Sequence, residues 1–91
     1  MLPSVLRWNK SINAARQEIV SHALGKEGDA AATIEELVSA LGLPTRLRDV
    51  GVRREHFDAI AAGAMQNVFV RSNPRPVTDP AHVLEMLEMA W

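Results

Sequence analysis

Apolar residues recur at steps of three and four along most of this chain, a spacing that places them on one face of an α-helix. The first such stretch begins at Leu2, where Pro3 suits the first turn of a helix. A second covers about residues 11–24, and Gly25 can end it in a left-handed conformation. Its predicted buried face consists of Ile12, Ala15, Ile19 and Ala23. The pattern therefore predicts two helices, followed by a flexible connector at residues 25–28.

A third helix is predicted to begin either at Asp29 as N-cap or one turn later, where Thr33 and Glu36 can form a capping box. Its apolar face contains Ile34, Leu37, Val38 and Leu41. Gly42 suits a left-handed residue after the last turn, and Pro44 prevents the helix from continuing. Residues 45–52 are then expected to form a loop packed on the core and anchored by Leu47, Val50 and Val52.

The second half of the chain predicts two more helices. Residues 54–66 carry the longest regular apolar stripe, and Gly63 within it indicates a close helix crossing. We expect residues 68–70 and the proline-rich residues 73–76 to be extended. Asp79 and Pro80 can cap and begin the last helix, whose apolar face is Val83, Leu84, Leu87 and Ala90, with Met86 and Met89 beside it. The fold class predicted is all-α, with about five helices in a small orthogonal bundle and a single domain over residues 1–91.

Composition excludes several classes of function. With 47% hydrophobic and 23% charged residues, the chain has the composition of a globular protein. The formal net charge of −1 argues against a nucleic-acid partner and against a helix lying on a membrane surface. No cysteine is present, so the chain has no disulfide, thiolate nucleophile or cysteine-based zinc site. No apolar run reaches the length of a membrane span, and we expect a cytoplasmic protein.

The residues that could carry chemistry do not form a pattern. His22, His56 and His82 lie far apart in the sequence, and none has a second ligand at metal-binding spacing on its own helix. The neighbouring carboxylates Glu35 with Glu36 and Glu85 with Glu88 lie opposite the predicted apolar faces, which indicates solvated surface rather than acid–base catalysis. The glycines of residues 25–28 lack the spacing of a phosphate-binding loop, and the chain has no dinucleotide-binding glycine motif. The arginine cluster, formed by Arg46, Arg48, Arg53 and Arg54, is expected to make surface ion pairs.

One binding function remains as an alternative. The third helix, the turn at Gly42 and a short helix capped by Thr45 would together resemble a helix-turn-helix DNA-binding unit. Gly51 would end that second helix after about six residues, which is shorter than a recognition helix needs to be. The packed-loop prediction and the helix-turn-helix alternative differ in whether residues 45–52 form a loop on the core or a projecting helix.

Three motifs together resemble one enzyme family. They are Leu-Pro-Ser-Val at residues 2–5 with Trp8 and Asn9, Gly-Leu-Pro-Thr-x-Leu-x-x-x-Gly-Val at residues 42–52, and Asn-Pro-Arg-Pro at residues 73–76. With a last helix ending in Ala-Trp, they resemble the C-terminal end of the iron-containing alcohol dehydrogenases, closest to the maleylacetate reductase branch. The resemblance covers the whole chain. It implies that the loop fixes one helix pair and that the turn sets the last helix against the bundle.

The resemblance also implies what this chain lacks. Members of that family bind a nicotinamide cofactor, NAD(P), in an N-terminal α/β domain, and hold a divalent metal, iron or zinc, through one Asp and three His. All of these positions fall upstream of Met1, and none of the histidines of this chain matches a ligand position. We therefore assign no catalytic, cofactor-binding or metal-binding residue. Phe69, shortly before the turn, is expected to lie nearer the substrate pocket of a complete enzyme.

The sequence therefore predicts a structural C-terminal segment of an iron-containing alcohol dehydrogenase-like or maleylacetate reductase-like oxidoreductase, without activity of its own. An excised piece, a truncated or split gene product and a reused helical module are all compatible with this interpretation. We expect the first helix, with Leu2, Val5 and Leu6, and the last, with Met86, Met89 and Trp91, to expose apolar faces. Such faces predict a homo-oligomer or a complex with the missing enzyme portion.

Overall fold

A computed structural model describes residues 1–91, which form five α-helices and two short 3-10 turns, without β-strands. The helices are α1 (Leu2–Ala23), α2 (Ala30–Ala40), α3 (Phe57–Ala64), α4 (Val68–Arg71) and α5 (Pro80–Ala90). The 3-10 turns, Leu47–Val50 and Arg54–His56, lie between α2 and α3. The all-α prediction is confirmed. None of these helices has both the length and the apolar character needed to cross a membrane.

A sharp bend divides α1 into a first arm, residues 2–12, and a second arm, residues 14–23. The backbone of Asn13, with φ −129° and ψ 30°, is not helical. The Nε2 atom of Gln17 donates to the carbonyl oxygen of Leu6 at 2.8 Å and to Oδ1 of Asn13 at 2.8 Å. In a straight helix, residues 6 and 17 would be about 16 Å apart along the axis, so these bonds require the arms to turn back toward each other. The two helices predicted for this region are the two arms, and the break lies at Asn13.

The second arm buries its polar side. Ile19, predicted to face the core, is 69% exposed, as is Ile12 (60%) at the end of the first arm, whereas Gln17 and Ser21 are 5% and 1% exposed. The prediction was wrong because Asn13, Gln17 and Ser21 follow the same four-residue period as the apolar residues, and the bend turns this polar stripe inward. The hydroxyl of Ser21 donates to the carbonyl oxygen of Gly28 at 3.1 Å and ties the arm to the connector before α2.

Asp29 is the N-cap of α2, which resolves the two predicted starts. Its Oδ2 accepts from the backbone N–H of Ala32 at 3.1 Å, and its Oδ1 accepts from Nζ of Lys10 at 2.9 Å. Glu36 does not complete a capping box and lies 3.6 Å from Nζ of Lys26. The hydrogen bond from Lys10 is the largest of the effects that lower the pKa of Asp29 below its ordinary value.

Helices α1 and α2 both end at the predicted glycines. Gly25 and Gly42 have φ values of 72° and 71°, in the left-handed region. After α2, the N–H of Gly42 donates to the carbonyl oxygen of Ser39 at 2.9 Å, and the N–H of Leu43 donates to that of Val38 at 3.2 Å. This is the Schellman motif, which satisfies carbonyl groups that the end of a helix leaves without partners.

The hydrophobic core is formed by the first arm of α1, α3, α5 and the segment before α5. Its buried members are Trp8, Phe57, Ala61, Val77, Val83, Met86 and Leu87. α2 packs on α1 through Ala30 and Ala31, which are almost completely buried. Small side chains at this contact allow the two helices to approach closely.

Several local predictions for the second half were wrong. Residues 68–70 belong to α4, a single turn whose N-cap is Asn67, with Oδ1 accepting from the N–H of Phe69 at 2.9 Å. The cap outweighs the weak preference of Val and Phe for extended backbone. α3 is shorter than expected and ends at Ala64, and Gly63 has no neighbouring atom within 4 Å of an added Cβ, so no helix crosses there. Val50, expected to anchor the loop, is 59% exposed, while Leu47 and Val52 do pack on the core.

The exposed apolar faces predicted for the first and last helices are present only in part. Leu2 is 54% exposed and Met89 39% exposed, but Val5 is half-buried and Met86 is buried in the core. Trp91 is half-buried because it folds back against the core. The largest exposed apolar side chains lie instead on the second arm of α1, on α4 and around the end of α2.

The two glycines Gly42 and Gly63 predict opposite effects of the same substitution. Gly42→Ala should lower the free energy of unfolding by about 1 kcal/mol, because alanine avoids the left-handed region that ends α2. Gly63→Ala should raise it by about 0.5–1 kcal/mol, because Gly63 is helical and the added methyl group meets open space. Urea denaturation followed by circular dichroism measures both. A stabilised Gly42→Ala variant would contradict the assigned helix end.

Asp29 predicts a pH-dependent contribution to stability. Because its pKa is lowered on folding, the contribution of its charge is present above about pH 4 and is lost as the pH falls through the lower pKa of the folded state. Asp29→Ala should cost about 1 kcal/mol at pH 7 through loss of the cap, and the difference from the original chain should narrow below about pH 4. Asp29→Asn, which keeps a cap acceptor without the charge, is the matched control. A difference independent of pH between 7 and 3 would contradict the Lys10–Asp29 interaction.

Candidate functional site

Two of the three motifs meet in space. Asn9 on α1 and Asn73 in the turn before α5 exchange side-chain hydrogen bonds, Nδ2 of Asn9 to Oδ1 of Asn73 at 3.0 Å and Nδ2 of Asn73 to Oδ1 of Asn9 at 2.6 Å. The turn closes on this asparagine pair through Arg75, whose carbonyl oxygen accepts from Asn73 at 2.6 Å and whose N–H donates to Oδ1 of Asn9 at 3.3 Å. Asn9 is only 5% exposed, so these bonds satisfy a polar side chain inside the protein.

Trp8 forms the apolar side of the same junction. The guanidinium carbon of Arg75 lies 3.6 Å from the centroid of the indole ring, within the range of a cation–π interaction. Nη1 of Arg75 donates to the carbonyl oxygen of Trp8 at 3.1 Å, and the ring of His82 on α5 lies 5.1 Å from the indole. The junction therefore joins α1, the turn and α5. Its hydrogen bonds are all internal, and none of these side chains is arranged as a nucleophile or general base.

The third motif also makes internal contacts. Gly51 adopts φ 85° after the 3-10 turn Leu47–Val50, and the guanidinium groups of Arg48 and Arg54 lie 5.2 Å and 3.9 Å from the ring of Trp91. Arg54 also pairs with Glu88 of α5 at 3.0 Å. The loop thus connects α5 to the segment between α2 and α3.

The arginine cluster is partly used in these contacts. Arg53 pairs with Glu55 at 2.7 Å, which with the Arg54–Glu88 contact confirms the surface ion pairs expected from the sequence. The helix-turn-helix interpretation was wrong, since residues 45–52 contain one four-residue 3-10 turn and no helix that could enter a DNA groove.

The three histidines do not come together. Nδ1 of His56 accepts from the N–H of Arg53 at 3.0 Å, and Nδ1 of His82 accepts from the N–H of Thr78 at 3.3 Å. His22 lies on the second arm of α1. No group of three or more His, Cys, Asp or Glu side chains is placed to hold a metal ion. The residues present therefore do not fit the divalent metal of the family that the motifs resemble, and no reaction step is assigned to one.

The neighbouring carboxylates serve as ion-pair partners. Glu35 pairs with Arg7, Glu36 with Lys26 and Glu88 with Arg54. These contacts agree with the sequence interpretation of solvated surface, since each carboxylate is 42–67% exposed. Such exposed pairs contribute little to stability.

A polar cavity of about 490 Å³ lies between the second arm of α1 and the start of α2. Its lining includes Lys10, Gln17, Glu18, His22, Glu27 and Asp29. The sequence did not predict this cavity, because the bend at Asn13 positions the side chains that line it. The four-residue spacing of Asn13, Gln17 and Ser21 is the signal that could have indicated a buried polar stripe.

Comparison with known proteins places these motifs in one family. The family model for the C-terminal part of iron-containing alcohol dehydrogenases matches residues 1–91. The chain is 32% identical over 94 residues to the probable alcohol dehydrogenase EutG of Salmonella typhimurium, covering 99% of the chain and 24% of that protein. It is 32% identical over 101 residues to the lactaldehyde reductase of Escherichia coli K12, covering 100% of the chain and 26% of that protein.

A 4-hydroxybutyrate dehydrogenase of Cupriavidus necator is also 32% identical, over 97 residues that cover 99% of the chain and 25% of that protein. These relatives are named for alcohol, lactaldehyde and hydroxybutyrate, and not for maleylacetate. No solved structure matches the chain. The chain spans about a quarter of the length of these curated relatives. With its all-helical fold and its three motifs, the chain belongs to the iron-containing alcohol dehydrogenase family and corresponds to its C-terminal part.

Proposed function

We propose that this chain is the structural C-terminal helical part of a metal- and NAD(P)-dependent oxidoreductase and has no catalytic activity alone. The observation that carries the proposal is that the family motifs contact other parts of this chain: Asn9 bonds Asn73, Arg75 lies over Trp8, and Arg48 in the loop at residues 42–52 lies near Trp91. Such internal contacts support a role in fixing helix positions. In the complete enzyme, the cofactor and metal would be bound by the rest of the protein.

The exposed apolar surface supports a partner for this segment. Four apolar side chains on α1 or at its end are 42–69% exposed, namely those of Ile12, Ile19, Val20 and Leu24. Phe69 on α4 is 80% exposed. Exposed apolar patches of this kind mark surfaces that another protein surface covers. We propose that the partner is either the remaining portion of the enzyme or another copy of this chain, in the cytoplasm.

The proposed substrate of the complete enzyme is a small alcohol or aldehyde. The names of the similar proteins support this class, and the motif resemblance adds maleylacetate, an unsaturated keto acid, as a second candidate outside it. Phe69 would lie toward the substrate pocket, as the resemblance implies, and its exposure leaves its ring free to contact another part of the enzyme.

The proposal predicts that the chain alone is inactive. Purified chain should give no turnover above blank with Fe²⁺ or Zn²⁺, either nicotinamide cofactor, and lactaldehyde, 4-hydroxybutyrate, ethanol or maleylacetate. Absorbance at the nicotinamide band measures the reaction, and the lactaldehyde reductase of E. coli serves as the positive control. Metal-dependent turnover by the purified chain would overturn the proposal.

The proposal also predicts that the chain can replace the matching segment of a relative. A chimera in which residues 1–91 replace the matched C-terminal segment of E. coli lactaldehyde reductase should fold and retain metal-dependent reduction of lactaldehyde. Within the chimera, Asn9→Ala should lower the free energy of unfolding by about 2 kcal/mol, because Oδ1 of Asn73 loses its donor and the N–H of Arg75 loses its acceptor. Ser11→Ala, on the exposed side of the same arm, is the matched control.

A second measurement separates misfolding from loss of function in the chimera. Circular dichroism and metal content show whether the chimera is folded and loaded. A folded, metal-loaded chimera without activity would contradict the structural role. Equal melting temperatures of the Asn9→Ala and Ser11→Ala variants would contradict the contribution of the asparagine pair to stability.

A further inference from the structure

Two histidines occupy matching places at the starts of α3 and α5, the two helices that pack on each other in the core. His56 ends the 3-10 turn that leads directly into α3, and His82 is the third residue of α5. Nδ1 of His56 accepts from the N–H of Arg53 at 3.0 Å, and Nδ1 of His82 accepts from the N–H of Thr78 at 3.3 Å. Each ring therefore satisfies a backbone donor just before its helix, as the Glu or Gln of a capping box does.

An imidazole makes this bond only in its neutral form. The accepting Nδ1 carries a lone pair, so the ring proton is on Nε2. A second proton binds at Nδ1 and turns the acceptor into a donor, which cannot bond a backbone N–H. Histidine is also the only side chain whose ordinary titration falls between pH 5 and 8, whereas Glu and Gln keep an acceptor oxygen over this range. The two caps therefore depend on pH where an ordinary capping box does not.

The charges on α5 leave a protonated His82 without a partner. Asp79, the N-cap, accepts from the N–H of Ala81 at 2.8 Å, and Glu85 is exposed one turn further along the helix. Neither carboxylate lies within ion-pair distance of His82, since the one histidine–carboxylate contact in the chain is made by His56. A positive charge in the first turn of a helix is also disfavoured by the helix dipole.

The elements that neighbour His82 add a positive charge rather than a negative one. The ring of His82 lies 5.1 Å from that of Trp8 on α1, and the guanidinium carbon of Arg75 lies 3.6 Å from the centroid of the same indole. Arg7 and Lys10, the charged side chains closest to Trp8 in the sequence, pair with α2 and its cap. A protonated His82 would thus share one indole with the guanidinium of Arg75.

His56 has a carboxylate nearby, but that carboxylate is already paired. Nε2 of His56 lies 3.8 Å from Oε1 of Glu55, and the same oxygen lies 2.7 Å from Nη2 of Arg53. The other charged side chains on the surrounding elements are Asp58 and the Arg54–Glu88 pair. A proton on His56 therefore gains only a shared, exposed ion pair, which contributes little, while it removes the bond to the N–H of Arg53.

We propose that His56 and His82 form a pH-sensitive switch in which mild acid opens the caps of α3 and α5 together. Below about pH 6 both backbone donors lose their acceptors, and both helices gain a positive charge in or next to their first turn. Because α3 and α5 supply most of the buried core residues, loosening their first turns lowers the stability of the bundle. This inference goes beyond the proposed function and does not depend on it, because it concerns two caps within this chain.

The double variant His56→Gln with His82→Gln tests the switch. Glutamine keeps the acceptor of a capping box and does not titrate. Between pH 7.5 and 5.5 we expect the unfolding equilibrium constant of the original chain to rise about fivefold, and that of the double variant to rise by less than about twofold. Urea denaturation followed by circular dichroism measures both constants at each pH. Asp29 does not contribute to this difference, because its carboxylate stays charged throughout this range.

His22→Gln is the matched control. His22 lies in the last turn of α1, where its side chain makes no hydrogen bond or ion pair, so the control should keep the fivefold rise. Each single variant, His56→Gln or His82→Gln, should remove about half of the pH dependence on a logarithmic scale, since the two caps do not contact each other. The double asparagine variant, whose Oδ1 takes the place of Nδ1, repeats the comparison on a second background.

The pH dependence decides the proposal. A rise in the unfolding constant that is lost in the double variants and kept in His22→Gln would support the switch. An equal rise in the original chain and in the double variants would overturn it, and so would an unfolding constant of the original chain that stays the same between pH 7.5 and 5.5.

Discussion

The contact between α1 and the turn at residues 73–76 determines how the remaining elements are arranged. The asparagine pair supplies hydrogen bonds inside the protein, and Arg75 covers the face of Trp8. Because Trp8 is also a central member of the hydrophobic core, the same residue connects polar and apolar contacts. Only residues 77–79 separate the turn from α5. The junction therefore also limits where α5 can pack on α1 and α3. The second arm of α1 and α2 are then attached on the other side of the first arm.

Local signals in the sequence were sufficient for the elements whose ends are capped. Asp29, Gly42 and Asp79 mark helix ends through bonds between residues close in sequence, and the structure contains all three. Gly25 ends α1 in the same manner as Gly42 ends α2. The family resemblance implied that the turn sets the last helix against the bundle, but it did not predict the meeting of Asn9 with Asn73, which are separated by 64 residues.

The failures of sequence interpretation in α1 and α4 have different physical origins. Two stripes of equal period run along residues 11–24, one apolar and one polar, and periodicity alone does not determine which is buried. The bend at Asn13, a tertiary feature, decided in favour of the polar stripe with Gln17 and Ser21. In α4, the side chain of Asn67 outweighed the extended preference of the next three residues. The polar cavity between the second arm and α2 was missed for the same reason as the polar stripe, since Gln17 and Ser21 line it.

The chemical nature of the α1–turn junction has a consequence for how the protein responds to its surroundings. The asparagine pair consists of neutral amides, which neither gain nor lose protons and whose hydrogen bonds depend little on screening by salt. Exposed ion pairs such as Lys10–Asp29 and Arg54–Glu88 weaken at high ionic strength, and the Lys10–Asp29 pair is also lost in acid, as the pH falls through the lowered pKa of Asp29. The exposed ion pairs are thus sensitive to salt, and at Asp29 also to acid, while the hydrogen bonds of the asparagine pair depend little on either.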